Sequence, residues 1–535
     1  MSLPPRRRVL PCLFVLLAAS WLGLHPATSH AAPPPGADIS PVAAGPLSSA
    51  LPQGWYQSGA FMEIYVRAYQ DSDGDGIGDL RGLISRLDYL QDLGIKGIWL
   101  MPINTSQDRD HGYAVVDYRN IEADYGTLAD FDALLAAAHQ RGIGVIMDYV
   151  INHSAADHPL FQAANRKQSP FRDWYVWSEQ EPEGWQIYGN YPWYSGEEGY
   201  YFAGFWSQMP DFNLRNPAVL AWHEDNLRFW LNRGVDGFRF DAVGNLVENG
   251  PKRWEVQAEN QPIMQRLVRT IQQYPNRYVV CEAPADPDGF GSQDACGSAF
   301  AFGLNNKLMT AANGHLRGIA DVLRYHNQGK AHMATFTSNH DHFAGRRVFD
   351  QVYANEASNR MVAAALLTLP GIPFIYYGEE VGMDEGVGLD GDASLRVPMS
   401  WTADASGFSS GQPFRALATN IASHNLASQL GKPDSLHSHY RAMLQLRRDN
   451  PALQTGSFEQ AEQSAELISF QRKSEQQRLL VLLNFGSEQQ AKLAKLPADA
   501  TLRAVYPQDA TTLRTDGRGR IKLTMPAKSL RVYQF

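Results

Sequence analysis

The chain has little cysteine, no excess of positive charge and few long apolar runs. Three cysteines in 535 residues exclude a disulfide-dense scaffold, so a hydrophobic core must carry the fold. Lys and Arg number 47 against 56 Asp and Glu, a net charge of −9. With no basic stripe to neutralise phosphates, a nucleic-acid partner is not expected. No internal repeat is visible. The apolar run at residues 9–24 follows Arg6-Arg7-Arg8 and precedes the small residues Ser29-His30-Ala31, so residues 1–31 read as a signal peptide cleaved after Ala31. The run is short for a transmembrane span, which needs about 20 residues. The expectation is therefore a secreted or periplasmic protein with no membrane association after cleavage. Residues 32–53, rich in proline, read as a disordered linker.

What remains is 44% hydrophobic and 11% aromatic, enough for a large core divided into two or three domains. Its most informative stretch is Gly234-Val-Asp-Gly-Phe-Arg239-Phe-Asp241. Strand side chains alternate faces, so Arg239 and Asp241 point the same way, and the arginine is expected to keep the carboxylate ionised. An ionised, fixed carboxylate can be a nucleophile; for this octapeptide alone, a structural ion pair is the simpler reading. Three other apolar runs carry charged or imidazole side chains at their ends: Asp148-Tyr-Val-Ile-Asn152-His153, Val279-Val-Cys281-Glu282 and Phe336-Thr-Ser-Asn-His340-Asp341. Such runs read as strands buried on both faces of a parallel sheet. In a closed parallel barrel their C-terminal ends share one rim, which would bring Asp241, Glu282 and Asp341 into one pocket.

These segments, together with His111-Gly-Tyr113-Ala-Val-Val-Asp-Tyr118, Met209-Pro-Asp-Phe-Asn213 and Gly371-Ile-Pro-Phe-Ile-Tyr-Tyr-Gly-Glu-Glu380, resemble the α-amylase family of glycoside hydrolases, family 13, in order and spacing from about residue 54 onward. The resemblance implies a (β/α)8 TIM barrel with an inserted B domain and a C-terminal antiparallel β-sandwich. It also implies retention of anomeric configuration on an α-glucan or maltooligosaccharide substrate. By position, Asp241 resembles the nucleophile, Glu282 the acid/base and Asp341 the third carboxylate. His153 and His340 resemble histidines that bind sugar hydroxyls, Tyr113 the ring beneath the sugar, and His111, two residues before it, is a further candidate for substrate binding. Independently of the family, retaining hydrolysis needs one ionised and one protonated carboxyl about 5 Å apart. Glu282, flanked by Val279, Val280, Cys281, Ala283 and Pro284, is in company that would raise its pKa by desolvation.

Asp71-Ser-Asp73-Gly-Asp75-Gly-Ile77-Gly-Asp79 offers four carboxylates and the Ile77 carbonyl to a hard cation, and similar loops hold calcium in α-amylase relatives. The plainer alternative is a solvated acidic turn. Asn152 resembles a ligand of a different calcium site, whose acidic partners the sequence does not identify. Cys281 and Cys296 are either a disulfide, which would stabilise by about 3 kcal/mol in the chain-entropy model, or two buried thiols. Asp110, three residues before Tyr113, and Arg396 are expected to pair and close the far end of the pocket, as in exo-acting relatives; otherwise Arg396 anchors its own loop.

Barrel strands are expected at 62–66, 97–101, 144–150, 237–241, 278–282, 301–304, 334–338 and 373–377. The catalytic barrel would span 54–153 and 209–454, the B domain 154–208 and the β-sandwich 455–535. Ser435 reads as the cap of a closing amphipathic helix. Gly244 and Asn245 stand where many endo-acting amylases have a Lys-His pair, while the Met209 motif resembles the group between oligo-1,6-glucosidases and neopullulanases. The reading is an α-1,4-glucan hydrolase of the α-amylase type, with an exo-acting α-glucosidase or a glucosyltransferase of the trehalose synthase or glucanotransferase type as the alternative.

Overall fold

The computed structural model describes residues 33–45, 48–509 and 511–535. Seven parallel strands form one sheet in the spatial order Tyr278–Cys281, Gly237–Phe240, Gly144–Tyr149, Ile95–Leu100, Ala60–Ile64, Ile372–Tyr376 and Ala334–Thr335. The two outer strands are joined through parallel bridges from Cys281 to Ala299 and from Phe300 to Ala334, which close the barrel. The expected strand at 301–304 is therefore displaced and reduced to a bridge. Phe302 N already turns back to Phe300 O, Gly303 adopts a φ of +83°, and helix Leu304–Ala312 begins. One apolar run thus serves two elements, its first residues the sheet and its last a helix.

Most barrel-strand residues are buried on both faces, and aromatic rings fill the interior. Phe61 stacks on Phe374 with centroids 4.5 Å apart. Gly97 and Gly144 make room for this filling, since a Cβ at Gly97 would lie 2.3 Å from the Phe61 ring and one at Gly144 2.3 Å from the Trp55 ring.

Helix Pro217–Arg233 shows how sequence delivers a strand to the rim. Asn216 caps it by accepting a bond from Ala218 N, proline occupies its first turn, and Gly234 at φ +107° stops it. Strand Gly237–Phe240 follows after two residues and ends directly before Asp241. Ser435 likewise caps helix Leu436–Asp449 through Ser438 N.

The described residues of the proline-rich segment, 33–45 and 48–53, correct the expectation of a disordered linker. Its backbone meets particular partners on the barrel: Trp222 Nε1 donates to Asp38 O at 3.0 Å, Arg119 Nη2 to Ser40 O at 2.9 Å, and Val42 N to Asp225 Oδ1 at 3.1 Å. Leu51 is buried. Composition signals the lack of helix or strand, but not that partners on the barrel satisfy the extended backbone.

Within residues 154–208 lies a three-stranded antiparallel sheet, Trp177–Ser178, Tyr200–Phe202 and Trp193–Ser195, with Ile187, Trp193 and Phe202 as its core. Of its tryptophans, Trp206 is the exposed one. Beyond residue 456, a six-stranded and a two-stranded antiparallel sheet enclose Leu480, Leu482, Leu502, Met525 and Tyr533. Among the described residues no helix is long and apolar enough to cross a membrane.

Candidate active site

The C-terminal strand ends converge on one guanidinium. Arg239, fully buried at the end of its strand, donates through Nη1 to Asp148 Oδ1 at 2.9 Å and to Asp241 Oδ1 at 2.6 Å, while its Nη2 lies 2.8 Å from Glu282 Oε1. Its face lies over the Trp99 ring, 5.1 Å from the centroid. Burial raises the Glu282 carboxyl to about 8, a shift that Arg239 opposes and the Asp241 and Asp341 charges reinforce. Glu282 Oε2 accepts a bond from Ala242 N at 3.1 Å. Ala242 itself sits at φ +47°, a left-handed conformation a non-glycine residue adopts at a cost of about 1–3 kcal/mol. This strain turns the chain immediately after Asp241 so that its N–H faces Glu282.

The third carboxylate has a different setting. Burial alone would raise the pKa of Asp341, but His340, whose Nε2 is 3.1 Å away, and Arg396, whose Nη2 donates at 2.8 Å, hold it below the usual carboxylate range. His340 is clamped on its other side by Glu63 Oε1 at 2.5 Å. Burial would lower its pKa, yet the two flanking carboxylates raise it to about 10. Tyr113 OH lies 2.7 Å from His340 Nε2 and donates to Asp148 Oδ2 at 3.1 Å, with the two rings stacked 5.5 Å apart. His153 is buried beside these groups with Nε2 unpartnered within the protein, and burial lowers it to about 4, so it is a neutral hydrogen-bonding group. His111 is held at the rim near Asp108, its Nδ1 3.6 Å from that carboxylate.

The structure thus brings Asp241, Glu282, Asp341, Arg239, Tyr113, His153, His340 and Arg396 to one rim. It does not make the expected Asp110–Arg396 pair. Asp110 is taken by Arg415, whose Nη2 lies 2.8 and 2.9 Å from its two oxygens, and by Tyr65 OH at 2.7 Å. Arg396 is committed to Asp341, to Asp392 at 3.3 Å and to the His340 carbonyl at 3.0 Å. Each charge found a nearer partner. The expected closure of the pocket by an Asp110–Arg396 pair is therefore absent from this structure.

The model of the α-amylase catalytic domain matches residues 63–456. The chain belongs to the α-amylase family. Among its relatives, "Alpha-amylase 3" of Dictyoglomus thermophilum is 34% identical over 449 residues, covering 81% of this chain and 85% of the relative. The trehalose synthase/amylase of Mycobacterium tuberculosis is 35% identical over 463 residues, covering 76% and 77%. Of the solved structures, an α-amylase from H. orenii superposes with a TM-score of 0.76 at 32% identity, covering 89% of this chain and 99% of that one.

Two oxygen-rich clusters of this family member bear on metals. Asp71, Asp73 and Asp79 bring carboxylate oxygens within 4.8 Å of one another, a donor set that fits a hard divalent cation. Asp71 also organises the loop, accepting bonds from the N–H groups of Asp73, Gly74 and Gly76 and from Ser409 Oγ. Asp75 is raised, first by burial and then by the Asp73 and Asp71 charges. The second cluster contains Asn152, whose Nδ2 donates to Asp211 Oδ2 at 2.8 Å while its Oδ1 is buried without a partner. Burial raises Asp211 to about 7, and Glu248, hydrogen-bonded to it, is raised by burial and by the Asp211 charge. These are the acidic neighbours of Asn152 that the sequence did not identify.

Sequence reasoning also missed Glu63, Asp148 and Arg415. Glu63 carried a usable signal: a lone carboxylate inside an apolar strand must find a partner once buried. Arg415 carried none, because its partner is 305 positions away. Cys281 and Cys296 are joined as a disulfide, tying the residue before Glu282 to the following loop.

Proposed function

We propose that this protein is an α-amylase-type glycoside hydrolase that cleaves α-1,4-glucosidic bonds of starch-derived maltooligosaccharides with retention of configuration. The observation that carries this reading is the single guanidinium of Arg239 shared by Asp241 and Glu282. Partners of one planar guanidinium are close neighbours, as double displacement requires, whereas inverting enzymes leave a gap of about 6.5–9.5 Å for water. In this reading Asp241 Oδ attacks the anomeric carbon. Glu282, protonated because burial raises it to about 8, gives its proton to the departing glycosidic oxygen. The glycosyl–Asp241 ester forms as the glycosidic bond breaks, and Glu282, now a carboxylate, takes a proton from the water that attacks that ester. The incoming hydroxyl displaces Asp241 and restores both groups. Asp341, kept charged by His340 and Arg396, and the neutral His153 would hold sugar hydroxyls.

Calcium is proposed for the loop holding Asp71, Asp73, Asp75, Ile77 and Asp79, where it would cross-link chain segments and contribute to stability rather than chemistry. Export through residues 1–31, which lie outside the described residues, is part of the same proposal. The transferase alternative draws support from relatives named trehalose synthase, and in that reading the same three carboxylates would carry the chemistry. A product time course on maltotriose separates the two. Glucose and maltose support hydrolysis, whereas longer oligomers or trehalose would favour transfer.

A further inference from the structure

Glu63 is the charged residue of strand Ala60–Ile64, and it lies buried against His340. Its Oε1 is 2.5 Å from His340 Nδ1, while Asp341 Oδ2 is 3.1 Å from His340 Nε2, so the imidazole stands between two carboxyl groups. An ionised carboxylate accepts hydrogen bonds and donates none, and a ring facing one at each nitrogen satisfies both by carrying a proton on each. It is then a cation. Burial would strip the second proton, but the Asp341 and Glu63 charges outweigh it. Burial likewise raises Glu63, and the His340 charge and bond draw it back down. Around the ring, Tyr113 OH lies 2.7 Å from Nε2, the Trp99 ring meets it edge-on at 5.7 Å, and Arg396 Nε donates to the His340 carbonyl at 3.0 Å. Farther charges are Asp148, on which the His340 charge acts, and Arg239, whose charge acts on Glu63 and Asp341 alike.

From this geometry we infer that Glu63 is a positioning residue: it keeps the His340 ring protonated on both nitrogens, so that Asp341 faces a cation rather than a neutral imidazole. Asp341 is then held by two charges, the other being Arg396, whose Nη2 donates to it at 2.8 Å. Glu63 acts through His340. A glutamine in its place would be neutral, and because an amide donates as well as accepts, Nδ1 would no longer need its proton. The Asp341 charge would keep the remaining proton on Nε2. The ring would then be neutral, and Asp341 would lose the attraction of a full charge 3.1 Å away in a site where solvent screens little. The effect on catalysis rests on the α-glucan reading above, in which Asp341 holds the sugar; the state of the ring rests on the two carboxyl groups alone.

The test reads the His340 ring directly, by NMR of the imidazole nitrogens in histidine-labelled protein, with its signals identified by their loss in His340→Asn. In wild type both nitrogens should carry protons from about pH 5.5 to about pH 8.5. A ring with a single proton at neutral pH would overturn the inference without recourse to any variant. In Glu63→Gln the Nδ1 proton should be lost at neutral pH and return as the pH falls. Its kcat/KM on maltooligosaccharides should be about tenfold or more below wild type near pH 7.5, and the gap should narrow toward pH 5.5 as the ring regains its charge. A merely structural role would give a loss that is the same at every pH, and that result would contradict the inference, as would a folded Glu63→Gln protein whose ring keeps both protons. Glu63→Asp, which retains the charge, should keep the doubly protonated ring and a pH-independent ratio to wild type; loss of the proton there too would count against Glu63. A wild type that carries the doubly protonated ring yet leaves maltooligosaccharides intact would overturn the α-glucan reading, while its ring signals would still support the inference.

Discussion

Two acidic clusters in this molecule are built from the same side chains and held in opposite ways. At the barrel rim, Asp241, Glu282 and Asp341 are held mainly by side-chain cations, Arg239, His340 and Arg396, in a buried site. In the acidic loop, Asp71 and Asp79 are held mainly by backbone N–H groups and hydroxyls of their own neighbourhood. The consequences follow from electrostatics. Burial raises Glu282, whereas His340 and Arg396 hold Asp341 down against its own burial, so that one carboxyl keeps its proton while the other stays charged. In the loop, Asp71 is lowered although burial opposes it, while burial and the neighbouring charges raise Asp75. The rim has the character of chemistry and the loop that of a cation cradle.

The sharpest break of this comparison is to delete one rim carboxylate at a time. Asp241→Asn and Glu282→Gln should each lower kcat by about a thousandfold or more, because each removes one half of the double displacement. Glu282→Gln should regain part of its loss on aryl glycosides with good leaving groups, and Asp241→Asn should not. A tenth of wild-type turnover remaining in a clean Asp241→Asn preparation would reassign the nucleophile.

The pH profile comes next. Glu282 acts first as the protonated acid, so kcat/KM should hold below about pH 8 and fall roughly tenfold per unit above it. Because the folded value lies above the unfolded one near 4.5, the same group contributes stability that is complete below that value and lost as pH rises through about 8. An alkaline limb already at pH 6 would contradict the shift.

Replacing Cys281 and Cys296 by serine should cost about 3 kcal/mol in the chain-entropy model for a loop of this length, read as a lower denaturation midpoint. Because Cys281 precedes Glu282, the alkaline limb should also move, linking the brace to the rim.

The loop should respond on another axis. Chelator should lower the melting temperature, and a cation at a hundredfold excess over its Kd should restore about 2.7 kcal/mol, with little change in kcat at 25 °C. Asp73→Ala combined with Asp75→Ala should abolish the chelator shift. If chelator instead removed activity without moving the melting temperature, the division between cradle and rim would fail.

The legible parts of this molecule are those in which a local pattern has one structural meaning. Apolar runs ending in charge announced the rim, because strands buried on both faces can place polar groups only at their ends. Ser435 announced a helix start through its own side chain. What was not legible depends on distance in sequence. The choice of Arg415 over Arg396 by Asp110 is decided by three-dimensional proximity, as is the docking of residues 33–45 on Arg119, Trp222 and Asp225. The sixth strand misled for a third reason: residues 299–304 are apolar throughout, and apolar character does not say where a bridge ends and a helix begins.

The central claim, double displacement through Asp241 and Glu282, is tested most directly by following the anomeric proton signals of the products by NMR during the first minutes of maltooligosaccharide cleavage. The account predicts that the new reducing end appears as the α-anomer and only later mutarotates. Initial accumulation of the β-anomer would contradict it.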